Sequence, residues 1–321
     1  MSEERTMEAV KEEELSGMKH PGHGKDHHGH GRHHHGGKPI RHRSMAMQTF
    51  LRVFESPTAK IGGVIFVLVV ILCLGAPLFT PYGVNDMDIT MIKAGPSLKH
   101  ICGCDSMGRD IWTRLLYGGR YSLALGLCGS LAAAIGGTVL GLIAGYFGGQ
   151  VDNLLMRFCD IWTAIPGMLL CIIISTALGP GFGNTILALS IGIIPNNARM
   201  TRGQILQERT KEYLEAAEVI NCKKSAIMFK HLLPNVISPT IVGTTMGIGG
   251  TIMQAATLSY IGLGVQPPNP EWGAMLTAGK SFIESAPHMV LFPGLFIAIL
   301  ILSINLMGDG LRDAIDPKLR K

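Results

Sequence analysis

Only a few groups of residues in the 321-residue chain are of types that do chemistry. Nine of its twelve histidines fall between His20 and His42, among them His27, His28, His30, His33, His34 and His35. Imidazole ligates nickel, copper and zinc, so this stretch suits capture of a transition metal. It reads equally as a flexible His/Gly tail with no part in metal handling. His100, Cys102 and Cys104 offer an imidazole and two thiols at two-residue spacing to a soft metal, against the ordinary use of cysteine as a small apolar residue. The seven cysteines are an odd number and mostly occupy apolar runs, which implies no disulfide framework. Gly279-Lys280-Ser281 ends like a phosphate-cradling loop, but Ala274 stands where that motif needs its first glycine. No nucleophile elbow, His-Glu-x-x-His or dinucleotide fingerprint is present. The expectation is a chain that hydrolyses nothing and holds no cofactor of its own.

Recognition of a partner is the better prospect. Residues 212–220 (Glu212-Tyr213-Leu214-Glu215-Ala216-Ala217-Glu218-Val219-Ile220) have the pattern of a short amphipathic helix. Asn221 follows where such a helix would stop, because asparagine tolerates the left-handed conformation. A second short helix over about 224–232 is expected to stop before Pro234. Small Ala216 and Ala217 flanked by carboxylates make a flat, charged docking surface; the same residues would also suit a plain solvated loop.

Composition dictates the elements that hold these residues. Hydrophobic residues make up 47% of the chain and charged residues only 16%, too few to cover a soluble protein of this size. Uncharged runs at 61–79, 121–147, 161–198, 236–264 and 289–308 are of membrane-spanning length, and Gly179-Pro180-Gly181 splits the third. The reading is an all-α membrane protein with six transmembrane helices. The first run begins too far along, and is too long, for a cleaved signal peptide. Six spans put both termini on one side, where Lys and Arg, counted from residue 38 onward and leaving out Arg157, outnumber those on the other side by sixteen to six. Both termini are therefore expected in the cytoplasm. The basic residues form no stripe with aromatics, so the net charge of +5 does not indicate nucleic acid. Gly137, Gly141, Gly145 and Gly149, with Gly243 and Gly247, predict close helix packing. Gln254, Asn196 and Asn197 are the polar residues inside the spans, suited to contact substrate or to join helices.

Glu215-Ala216-Ala217, Asn221 and His231-Leu232-Leu233-Pro234 resemble the cytoplasmic signature of permease subunits of binding-protein-dependent ABC importers. The departure is Asn221, where glycine is usual. Residues 100–110 (His100 to Asp110), Ala144-Gly145-Tyr146-Phe147-Gly148-Gly149, residues 258–268 with Glu271-Trp272-Gly273, and Asn305 to Asp313 with Asp316-Pro317 extend the likeness over about 50–321. They are similar to the second of the two paired permeases in the dipeptide, oligopeptide and nickel branch.

That resemblance implies a type I ABC importer permease bundle with a cytoplasmic coupling helix loop, in a bacterial or archaeal cytoplasmic membrane. Residues 1–50 would be a disordered, His-rich cytoplasmic tail, 51–120 the first span and outer loop, and 121–321 the core permease domain with five spans. It further implies a heterodimer with a homologous permease, two ATPase subunits that bind ATP-Mg, and an extracytoplasmic substrate-binding protein. Glu215, Ala216, Ala217, Asn221, Leu233 and Pro234 would dock an ATPase. Gln266, Pro267, Pro268 and Trp272 are candidates to touch the binding protein, or form a plain rigid loop. A neutral, hydrogen-bonding passage suits di- and oligopeptides. Nickel or another transition metal is the alternative substrate, and a non-transporting metal-sensing or scaffold protein is the alternative of another class.

Overall fold

The computed structural model describes residues 56–315; the histidines between His20 and His42, and the proposed 1–50 tail, lie outside them. Among the described residues all regular structure is helical, apart from an isolated antiparallel bridge between Cys104 and Asp110. The helices are α1 (Pro57–Leu74), α2 (Ala76–Phe79), α3 (Ile111–Phe147), α4 (Gly149–Thr163), α5 (Gly167–Leu178), α6 (Phe182–Glu208), α7 (Glu212–Val219), α8 (Lys224–Tyr260), α9 (Trp272–Gly279) and α10 (His288–Ile315).

Among the described residues α1, α3, α8 and α10 are each long and apolar enough to cross a membrane. The pair α4 and α5 makes a fifth span if taken as one, bent by 83°. Pro166 explains the bend: it lacks an amide donor and keeps the residue before it out of the helical region. The run expected as one helix from residue 161 is thus broken. A sixth crossing would be α6, whose 27 residues reach about 40 Å but whose second half is polar, from Asn196 to Glu208.

At 37 residues α3 is about 55 Å long, well beyond a bilayer's hydrocarbon core of about 30 Å. It begins at Ile111, so the boundary drawn between residues 120 and 121 falls within it. Asp110 caps its first turn, accepting from the Thr113 amide at 2.7 Å. Arg120 caps a different helix: its Nε and Nη2 donate at 2.7 Å to the Cys73 and Leu74 carbonyls at the end of α1.

The break between α5 and α6 falls at the expected turn. Asn184 Nδ2 donates to the Leu178 and Gly179 carbonyls, satisfying the end of α5. The expected stop before Pro234 does not occur. Residues Ile227–Leu232 form a π-helical turn, and the helix runs on as α8. The wider turn admits the proline, and Asn235 Nδ2 donates at 2.7 Å to the His231 carbonyl.

Three apolar clusters hold the bundle. One joins α1, α3, α8, α9 and α10 around Trp272, another surrounds Leu125 and Leu189, and a third lies beneath α7.

Candidate functional site

The short helix α7 forms as the sequence predicts, and its surroundings show which side is free. Leu214 and Ala217 point inward onto Leu142 and Tyr146 of α3, Ile205 of α6, and Ile227, Met228 and Leu232 at the start of α8. Glu215 and Ala216 are exposed. Val219 and Ile220, both apolar, are 85% and 73% exposed. Asn221 has φ +55°, the left-handed conformation. The Cys222 amide then donates at 3.1 Å to the Ala217 carbonyl, the six-to-one bond of a Schellman ending. Asparagine thus makes the turn for which glycine is the usual residue. Leu233 and Pro234 lie on α8 just past the π-helical turn.

Tyr213 pins α7 to both neighbouring long helices. Its hydroxyl donates at 2.8 Å to Glu208 Oε1, at the end of α6, and accepts at 3.0 Å from Asn235 Nδ2 on α8. Burial, then the Glu208 contact, raises the phenol's pKa, so it remains a donor at neutral pH. Lys211 Nζ meets Glu208 Oε2 at 2.7 Å. This pin joins residues up to 27 positions apart and has no local signature in the sequence.

From α7 the contact continues into the tightest seam of the bundle, between α3 and α6. A Cβ on Gly145 would lie 2.7 Å from Ile205 Cγ2, one on Gly141 2.8 Å from Thr201 Cβ, and one on Gly137 2.9 Å from the Ala198 amide nitrogen. Three of the four glycines of the expected stripe therefore allow the backbones to touch. Gly149 has open space instead, and so does Gly247, while Gly243 faces Met200. Arg202 Nε and Nη2 meet the Asp152 carboxylate at 2.5 and 2.6 Å, a fork that ties α6 to α4.

The polar residues of the spans separate. Asn197 packs its Cβ against Gly137 in the seam. Asn196 is exposed, and Gln254 is half-buried on α8.

At the opposite end of the bundle two expectations are corrected. Trp272 is fully buried, its Nε1 donating at 2.8 Å to the Leu115 carbonyl and its ring set edge-on to Phe296. It is a core anchor and cannot touch a docking protein. Glu271, also buried, accepts from the Gly273 and Ala274 amides at 2.9 Å and from Ser122 at 3.0 Å. A glutamate is an unusual N-cap, so the sequence offered no sign of this one. Gln266 and Pro267-Pro268 are exposed, with Gln266 Nε2 folded back onto the Gly262 and Gly264 carbonyls.

The second correction concerns His100, Cys102 and Cys104. Among the described residues no three His, Cys, Asp or Glu side chains gather as metal ligands. His100 Nδ1 lies 2.9 Å from Asp110 Oδ1, and its ring stacks on Tyr82. Burial, reinforced by Asp110, pushes the Cys102 thiol up to about 12 and the Cys104 thiol to about 11, away from the thiolate a metal needs.

Residues 137–321 match the family described as the inner membrane component of binding-protein-dependent transport systems, and residues 44–96 match the N-terminal TM domain of oligopeptide transport permease C. The chain is 41% identical over 273 residues to the dipeptide transport system permease protein DppC of Alkalihalophilus pseudofirmus, covering 85% of this chain and 90% of that protein. It is 42% identical over 270 residues to the glutathione transport system permease protein GsiD of Pectobacterium atrosepticum, covering 84% and 90%. With the di/tripeptide transport system permease protein DppC of Pseudomonas aeruginosa it shares 39% over 281 residues, covering 85% and 93%. A chain of the inward-facing MetNI methionine ABC transporter has the same fold, with a TM-score of 0.51 at 18% identity over 64% of this chain and 98% of that one.

Proposed function

The chain belongs to the inner-membrane components of binding-protein-dependent transport systems, and from that premise we propose that it forms half of the translocation path for di- and oligopeptides. It is a membrane-embedded transport component rather than an enzyme, and members of its family work with further subunits. The non-transporting scaffold alternative gives way to that membership. The peptide reading draws support from relatives named for dipeptide, di/tripeptide and glutathione transport.

In this reading the other half of the path is a homologous permease. Two ATPase subunits bind ATP-Mg and dock on the α7 end, which faces the cytoplasm together with both termini. Substrate arrives from an extracytoplasmic binding protein at the opposite end. The observation that carries the proposal is α7 itself, a helix that buries Leu214 and Ala217 and presents Glu215, Ala216, Val219 and Ile220 outward.

The coupling follows from what α7 touches. A push on its outer face bears on Tyr213, which is bonded to the end of α6 and the start of α8. The seam of Gly137, Gly141 and Gly145 leaves no slack between α3 and α6, so the push moves these helices as one body. The energy comes from the partner ATPases, and this chain transmits it.

The test is reconstitution in proteoliposomes with a second permease, the ATPase subunits and a substrate-binding protein from the same organism. Uptake of a labelled dipeptide is expected to depend on ATP and on the binding protein. Ala216→Arg, at an exposed position, is expected to abolish uptake and ATPase co-purification while the permease still inserts. Isolation of the wild-type chain with neither a second permease nor an ATPase would overturn the proposal.

A further inference from the structure

The end of the bundle opposite α7 contains a pocket of about 130 Å³, walled by Asp105, Arg109 and Arg114 with Pro267, Asn269 and Met289. Arg109 and Arg114 are only 7% and 6% exposed. One carboxylate orients both. Asp105 Oδ2 accepts from Arg109 Nε at 2.7 Å and lies 3.7 Å from Arg114 Nε. Its Oδ1 is occupied by the Met107 and Arg109 amides, at 2.8 and 3.0 Å. Arg114 Nη1 donates to the Val84 carbonyl at 3.1 Å and reaches Asn85 Oδ1 at 3.5 Å. Among the described residues nothing accepts from either terminal nitrogen of Arg109 or from Arg114 Nη2. The nearby Asp110 is already committed to His100, the Thr113 amide and the Thr113 hydroxyl. Two guanidinium groups share one carboxylate, and their unused nitrogens line a pocket that solvent still reaches, so an arriving anion would complete them.

We propose that this pocket receives the carboxylate of an aspartate or glutamate side chain from the extracytoplasmic protein that docks on this end of the permease. The inference rests on the importer reading above, which places this end outside. Size favours a side chain, since sites for whole small ligands are about 300–1,000 Å³. The chemistry favours a carboxylate, because unused guanidinium nitrogens accept its two oxygens in parallel. Asn269 is held at the rim by the Tyr121 hydroxyl, which donates to its Oδ1 at 3.1 Å. The exposed Pro267 continues that rim.

The experiment titrates the importer's extracytoplasmic binding protein, empty or peptide-loaded, onto the complete importer in nanodiscs. Wild-type docking tests the importer reading, and its loss in variants tests this inference. Arg114→Gln and Arg109→Lys are each expected to weaken docking at least about tenfold. Ser106→Glu leaves both arginines in place and adds a competing carboxylate at the pocket wall, so it should weaken docking similarly even if an arginine variant fails to assemble. An equal loss for empty and peptide-loaded protein supports a protein side chain as the source. A loss confined to protein loaded with free-acid peptide, and absent with the C-terminally amidated peptide, would assign the carboxylate to the substrate and overturn the proposal. So would unchanged docking in the assembled variants.

Discussion

Replacing Gly141 by alanine tests whether the α3–α6 seam is as tight as its glycines require. The new methyl would lie 2.8 Å from Thr201 Cβ, 2.9 Å from the Arg202 amide nitrogen, and against the Ala198 carbonyl oxygen. Carbon atoms sit comfortably at about 3.5–4.0 Å, so the helices must part by about 1 Å. Two of the three obstructing atoms are backbone and cannot rotate aside. Because backbone atoms obstruct it, the overpacking cost falls in the upper part of the usual range, about 2–3 kcal/mol, and alanine's better helix propensity returns about 1 kcal/mol. A net loss of about 1–2 kcal/mol corresponds to a Tm lower by about 2–8 °C for a chain of this size. The control is Gly247→Ala, where nothing lies within 4 Å; it should leave Tm unchanged or slightly raised. Thermal unfolding in detergent can be followed with a thiol-reactive fluorophore, because Cys73, Cys159 and Cys171 are buried until the bundle opens. A Gly141→Ala protein as stable as wild type would refute the close approach of the two backbones.

Asn221→Gly should preserve binding-protein-stimulated ATP hydrolysis, whereas Asn221→Val, forced to φ +55° without a local hydrogen bond, should destabilise the turn by about 1–2 kcal/mol and uncouple transport. Asp152→Asn leaves the half-buried Arg202 without its carboxylate and should lower stability by about 1–3 kcal/mol in the same fluorophore assay. Trp272→Ala should cost about 3–5 kcal/mol and prevent recovery of folded protein, while Trp272→Phe keeps the ring and loses only the Leu115 hydrogen bond; comparing their yields separates a core role from a docking role. Cys102 and Cys104, with thiol pKa values pushed up to about 12 and 11, should resist alkylation of the native protein at pH 8, and added nickel should not alter that resistance; rapid labelling protected by nickel would restore the metal reading.

Features carried by local pattern were readable in advance. The break at residues 179–184, the short helix ending at Asn221, and the glycines at 137, 141 and 145 each depend on residues within a few positions or one helical repeat. Features that depend on distant partners were not. Trp272 looked like a loop residue until Leu115 and Phe296 closed around it. His100, Cys102 and Cys104 had a ligand-like spacing, but Asp110 takes the imidazole and burial keeps the thiols neutral. The pin through Tyr213 and the pocket between Arg109 and Arg114 draw on segments far apart in the chain.

The sequence alone determined that this is a charge-poor helical membrane protein with a short helix ended at Asn221, because hydrophobic run length and turn chemistry act locally. Tertiary structure decided which polar groups are spent and which are left over. A guanidinium or a thiol has the same formula wherever it stands, and only its neighbours set the desolvation it suffers and the partners it finds. Among those at the end opposite α7, the Cys102 and Cys104 thiols are buried and held neutral, whereas Arg109 and Arg114 are held in place with donors to spare.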